Sequence, residues 1–221
     1  MATRPINTDK VGANAAAQKP KTLRNAEKRN QIMAGSLQVF LKHGFHGASI
    51  DNIAATAGVS KPTIYSYFKD KEGLFAAIIR DIADRILIPT RETVPASVSV
   101  EEALERFTHV YASVMLDPKM LAMHRLAVGE AQRFPKVGEL FYRAGPEAAL
   151  RGIMEYLQIF IDRGDLDIQD LESAAHHFWG LTLNPMRTMM LFMCDYSPSR
   201  EEVEESIHCG IQAFLAIYKR Q

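Results

Sequence analysis

The sequence predicts an all-α protein, and three observations carry that reading. From Asn25 onward apolar residues recur at helical spacing, and no alternating strand pattern persists. Serine and aspartate stand just ahead of several such stretches, where a side-chain oxygen can cap a helix start. Gly44, Gly58, Pro89, Gly145-Pro146 and Asn184-Pro185 fall where one periodic stretch gives way to the next. A chain of 221 residues, 47% apolar, is long enough for one large or two small domains without staples.

The elements follow in order. Residues 1–24 lack apolar periodicity and carry scattered Arg and Lys with Pro5, Gly12 and Pro20, which predicts a disordered basic arm or a leader without a role. Met33, Leu37, Phe40 and Leu41 make the stripe of a first helix, with Lys42 and His43 at its negative end and Gly44 as a left-handed cap. Ser49 caps a short second helix that turns Ile50, Ile53, Ala54 and Ala57 inward and ends at Gly58. Ser60 caps a third, where Pro62 is tolerated because first-turn amides have no partner to lose. Asp70 caps a fourth, with Leu74, Phe75, Ile78, Ile79, Ile82 and Ile86 as its stripe and Pro89 as its stop.

After a proline-bearing loop, "SVEE" from Ser99 has the capping-box pattern and opens a helix with Leu104, Phe107, Tyr111 and Val114. Asp117-Pro118 opens another. Pro135 begins a long segment interrupted at Gly145-Pro146 and closed by Arg163-Gly164, and Asp167 is expected to cap the next helix. A Met-rich helix follows Asn184-Pro185. "SREE" from Ser199 is a second capping box, and Val203, Ile207, Ile211, Phe214 and Tyr218 run at helical spacing behind it. The expectation is nine or ten helices in three parts: the arm 1–24, a compact unit 25–71 and a larger body 72–221.

Formal charge sums to zero but is unevenly placed. Residues 1–71 hold eleven Lys and Arg against four Asp and Glu, and residues 72–221 hold fifteen against twenty-two. A basic head on an acidic body suits a nucleic-acid-binding module, although a membrane-surface arm gives the same imbalance. Cys194 and Cys209 fit neither a disulfide framework nor a metal pattern and are expected to be small core residues in a reducing compartment. With no apolar leader and no long apolar run, a soluble cytoplasmic protein is expected.

The stretch "GVSKPTIYSYFKDKEGLF", Gly58 to Phe75, decides the function of the head. Two short helices joined by "AGVS" form a helix-turn-helix, whose second helix enters the major groove by its N-terminal end. There Lys61 and Thr63 can reach base edges and Pro62 a thymine methyl. Ser49, Tyr65, Tyr67 and Lys71 supply donors around the rim for phosphates. Ser60 is a cap first and a phosphate ligand second, and Tyr65 and Tyr67 can be half-buried aromatics of a three-helix core that contact DNA as well. Ile64 and Phe68 belong to the core.

The run "GFHGASIDNIAATAGVSKPTIYSYFKDKEGLF" resembles the N-terminal domain of TetR-family transcriptional regulators, over roughly residues 26–88. "MHRLAVGEAQRFP" and "AAHHFWGLTLNPMRTMMLFM" are similar to the AefR-like subgroup. The resemblance implies a homodimer on a palindromic double-stranded operator, usually repressing until a small molecule binds the C-terminal domain. It implies Lys61, Pro62 and Thr63 as base readers and Ser49, Tyr65, Tyr67 and Lys71 as phosphate contacts. Ser66 stands where the family often has His.

The body offers Tyr111, Met115, Met123, His124, Phe178 and Trp179 as candidates for an adaptable effector cavity, with Met186, Met189, Met190 and Met193 as further apolar candidates. Ordinary core plus dimer surface is the alternative. Segments 167–183 and 200–219 are expected to pair between two chains, with Val203, Ile207, Ile211, Phe214 and Tyr218 as the buried stripe. His176 and His177 point about 100° apart on a helix and cannot share a metal; Glu130 and Arg133 are spaced to pair. No catalytic elbow or phosphate loop is present, so neither an enzyme nor a cofactor is expected. The expected function is a dimeric DNA-binding regulator released by a small apolar or aromatic effector. An effector-independent architectural DNA-binding protein is the alternative.

Overall fold

The computed structural model describes residues 21–87 and 94–220. Among these, eleven helices run as α1 (Lys21–Gly47), α2 (Ile50–Ala57), α3 (Lys61–Tyr67), α4 (Lys71–Leu87), α5 (Val100–Met115) and α6 (Pro118–Ala131), then α7 (Pro135–Ala144), α8 (Pro146–Asp162), α9 (Leu171–Thr182), α10 (Asn184–Phe192) and α11 (Arg200–Tyr218). The all-helical expectation holds; an isolated antiparallel bridge joins Leu166 to Lys219. The count exceeds nine or ten because Gly145-Pro146 divides one apolar segment into α7 and α8. Residues 1–20 of the expected arm and the Pro89 stop lie outside the described residues, as does the Ile86 side chain. Residues 21–24, assigned to the arm, already form the first turn of α1.

Local chemistry sets most boundaries. Ser49 Oγ accepts the Asn52 amide at 3.1 Å, Ser60 Oγ the Thr63 amide at 3.3 Å, and Asp70 Oδ1 the Gly73 amide at 2.7 Å. Ser199 and Glu202 form the reciprocal box, each side chain accepting the other's backbone amide. Ser99 forms only half of one: Oγ accepts the Glu102 amide, while the Glu102 carboxylate turns forward to Arg106 at 2.5 Å. The cap of α9 is Asp170, not Asp167. At Asp167 the carboxylate instead accepts from Gln169 Nε2 at 2.9 Å, and the amide donates to the Tyr218 carbonyl at 2.8 Å, beside the Leu166–Lys219 bridge.

Two apolar cores result. The first joins α1–α4 to α6 and α7, with Phe40, Phe45 and Phe75 packed ring to ring at 5.2–5.6 Å between centroids. Ile64 and Phe68 are buried in it, as expected. The second joins α5, α8, α9 and α11, with Phe178 between Phe107 and Phe214. The stripe expected to lie uncovered for a partner chain is inside this core. Ile207, Ile211 and Phe214 are 1% exposed or less, with α5 and α9 over them, while Val203 and Tyr218 are half-buried at the ends. Periodicity identified an apolar face but not which element meets it. At Gly210 a β-carbon would stand 2.5 Å from the Leu181 carbonyl oxygen, so only glycine lets α11 approach α9 this closely.

Other expectations also change. Cys194 and Cys209 are exposed rather than core residues. Arg133 lies over the Phe134 ring at 5.4 Å instead of pairing with Glu130. His177 meets the Tyr218 hydroxyl at 2.5 Å, His176 is exposed, and neither borders the cavity described below.

Candidate functional site

The candidate recognition surface is built from α2 and α3. Gly58 adopts a left-handed conformation (φ 63°, ψ 41°), and its amide reaches back to the carbonyls of Ala54 and Ala55. A residue with a β-carbon would be strained there. The angle against α1 is fixed by two residues that motif reading missed. Gln31 Nε2 donates to the Ala57 carbonyl at 2.6 Å, and at Gly35 a β-carbon would come within 2.8 Å of Ala57. Gly35 therefore lets α2 lie directly on α1.

Ser49, Ser60, Lys61, Pro62, Tyr65 and Ser66 are exposed on this surface, and Thr63 and Tyr67 are half-buried. Several have internal partners. Lys61 pairs with Asp51, Thr63 Oγ1 meets Ser60 Oγ at 2.8 Å, and Ser66 Oγ donates to the Thr63 carbonyl at 2.7 Å. Tyr67 donates to Asn25 Oδ1 at 3.3 Å. Lys71 differs most from its neighbours. Its ammonium donates to the carbonyls of Phe45, His46 and Ala48 and sits 4.6 Å from the Phe45 ring centroid. All three ammonium donors are thus engaged in tying the start of α4 to the end of α1.

A cavity of about 310 Å³ lies where the two cores face each other. Its walls come from α4–α10: Ile79 and Ile82 from α4, Met115 from α5, Met120 from α6, Phe141 from α7, and Ala149 from α8 are its apolar part. Tyr111 and Trp179 are stacked at 5.9 Å with nearly parallel rings. Of the residues expected here, Tyr111, Met115, His124 and Trp179 do line the cavity. Met123 and Phe178 do not: each is fully buried, one in each core.

Arg187, which the sequence reading passed over, supplies the polar end. Its Nη2 donates to His124 Nδ1 at 2.8 Å, so that nitrogen is the acceptor of a neutral imidazole. Burial and then the nearby Arg187 and Arg125 charges hold the His124 pKa down at about 4. Burial pushes the Tyr111 phenol above its ordinary value, with Arg187 opposing, and burial pulls the Arg187 guanidinium below its own. Arg187 Nε and Trp179 Nε1 are buried without a hydrogen-bond partner among the described residues.

Comparison with known proteins now decides the family. Residues 32–78 match the profile of bacterial regulatory proteins of the tetR family, and residues 102–220 match the C-terminal domain of AefR-like transcriptional repressors. The chain belongs to the TetR family. A TetR-family regulator from Mesorhizobium loti superimposes with a TM-score of 0.73 at 28% identity, covering 89% of this chain and 99% of that one. The flavonoid-responsive regulator FrrA gives 0.71 at 30% identity, with the same coverage. RutR of Escherichia coli K12 is 41% identical over 64 residues, 29% of this chain and 30% of its own length. The alignments to FasR of Mycolicibacterium smegmatis and to RutR span only about a third of those relatives.

Membership makes the protein a DNA-binding transcriptional regulator and not an enzyme. Among the described residues there is no cluster of metal-ligating side chains and no helix long and apolar enough to cross a membrane. Arg187 could have been noticed in the sequence as a lone charge in the Met-rich stretch after Asn184-Pro185. Nothing local says that it turns inward toward His124, 63 residues away.

Proposed function

We propose that this TetR-family regulator is a cytoplasmic homodimeric repressor released from a palindromic operator by a small apolar or aromatic effector. The observation that carries the reading is the position of the cavity. Its wall includes α4 and α6, which also pack in the DNA-binding head, together with α5, α8 and α9 of the body. A ligand that spreads this seam displaces α4, and the Lys71 ammonium passes that displacement to the carbonyls at the end of α1. Helices α2 and α3 then lose the spacing that places two recognition helices one helical turn apart on DNA. In this reading residues 25–71 bind DNA and 72–221 bind the effector and the partner chain.

Lys61, Pro62 and Thr63 read bases, and Ser49, Ser60, Tyr65, Ser66 and Tyr67 face phosphates. Lys61 leaves Asp51, and Thr63 leaves Ser60, to do so. Lys71 contributes its charge from behind while its donors remain on α1. Dimerisation falls to the outward faces of α9 and α11, where Leu181 and Ile217 are exposed, rather than to the stripe under them. Repression agrees with the AefR-like repressor profile, and an aromatic effector agrees with the name of FrrA.

The test is selection of bound duplexes from a random pool, followed by challenge of the complex with a panel of small apolar and aromatic compounds, acidic and neutral. Two-fold symmetric sites, released by a member of the panel, are expected. Binding without sequence enrichment would favour an architectural protein instead.

A further inference from the structure

We propose that the effector is an organic acid, a small apolar or aromatic carboxylate whose anionic end is held by Arg187 and Trp179. This rests on the effector reading above and narrows its ligand class. The cavity is apolar over most of its wall and, among the described residues, carries one cation. Among the described residues no carboxylate pairs with Arg187; its side chain bonds only to neutral His124. A guanidinium withdrawn from water without a counter-charge is unfavourable, and a buried N–H without an acceptor adds to that cost. Arg187 Nε and Trp179 Nε1 are two such donors, on side chains that border the same cavity.

A ligand carboxylate supplies the missing negative charge, and its two oxygens accept from these donors, which are covered in the free protein, once the ligand spreads the seam. A neutral apolar ligand would leave both donors orphaned, and a cationic one would be repelled. His124 Nδ1 accepts from Arg187 and so holds the guanidinium in place, which leaves the imidazole proton on Nε2. The rest of the ligand lies against Ile79, Ile82, Met115 and Phe141, in a volume of about 310 Å³ that suits a small ligand with one or two rings.

The test compares cinnamate with cinnamamide, which share a shape and differ in charge, and adds a neutral flavone. Binding is followed by Trp179 emission, and operator release by fluorescence anisotropy of labelled duplex. Wild-type protein is expected to bind cinnamate about tenfold or more tighter than cinnamamide, a gap of the size that charge-assisted hydrogen bonds provide. Arg187→Met should bring the ratio to about one without lowering the melting temperature of the free protein. Arg187→Lys, which keeps the charge but loses Nε, should keep part of the preference and serves as the readout if the Met variant does not fold.

Equal or tighter binding of the amide to wild type, or a preference that survives Arg187→Met, overturns the proposal. Release by the flavone together with no preference for the acid sinks the organic-acid assignment and leaves the effector reading standing. If none of the three compounds binds or releases the operator, both fall.

Discussion

The recognition surface and the cavity solve opposite problems with the same kind of residue. On α2 and α3 the polar groups are exposed, and their partners come mostly from nearby in the sequence: Ser49 with Asn52, Ser60 with Thr63, Ser66 with Thr63. Water can replace any of these contacts, so exchanging them for DNA costs little. Around the cavity the polar groups are few and mostly half-buried, and their partners come from far along the chain, as when Arg187 of α10 meets His124 of α6. Arg187 Nε and Trp179 Nε1 are covered there and have no partner among the described residues. On the function proposed above, the head exchanges its internal partners for DNA, while the cavity offers two unpaired donors to a ligand.

Substitutions that break this contrast most strongly lie in the cores. Phe178 was a cavity candidate in sequence but is fully buried between Phe107 and Phe214. Phe178→Ala should destabilise the fold by about 3–5 kcal/mol, as large core truncations do, in chemical denaturation. If Phe178 instead reported on the cavity, effector affinity would fall while stability held. Next in size is Gly35→Ala, which drives a methyl into Ala57 of α2. Overpacking of this kind costs about 1–3 kcal/mol. Because it tilts the helix-turn-helix against α1, operator affinity should drop further than the melting curve alone explains.

Lys61→Ala separates reading from folding. Its pair with Asp51 is exposed, so stability should change by less than about 0.5 kcal/mol. Operator binding should lose about 1–3 kcal/mol with relaxed sequence preference, while random DNA is affected less. Equal losses on both DNAs would reassign Lys61 to phosphate.

The smallest effect is acid sensitivity. His124 is held neutral in the fold, with its pKa near 4 against an ordinary 6.5. The unfolded chain therefore binds a proton first as pH falls. Stability from this site is complete above about pH 6.5 and is lost progressively down to about pH 4. Partial solvent exposure weakens the effect. His124→Gln should flatten this limb in urea titrations at successive pH values, and an unchanged limb would place the acid sensitivity elsewhere.

Much of the architecture was legible in the sequence because helix starts and stops are written in short-range chemistry. Ser49, Ser60, Asp70 and Ser199 each satisfy the amide three residues ahead, and Gly58 meets a local need for positive φ. The helix-turn-helix was legible for the same reason, its donors and its turn lying within a single stretch. What the tertiary structure alone decided are contacts between distant elements. Asp167 is drawn to the Tyr218 carbonyl, and α9 starts later. The α11 stripe is covered by α5 and α9, not left for a partner. Lys71 grips the end of α1, and Arg187 bonds His124 at the polar end of the cavity. Periodicity tells which face of a helix is apolar or charged, but the element that meets that face is chosen by packing, and packing is settled only when every helix is in place.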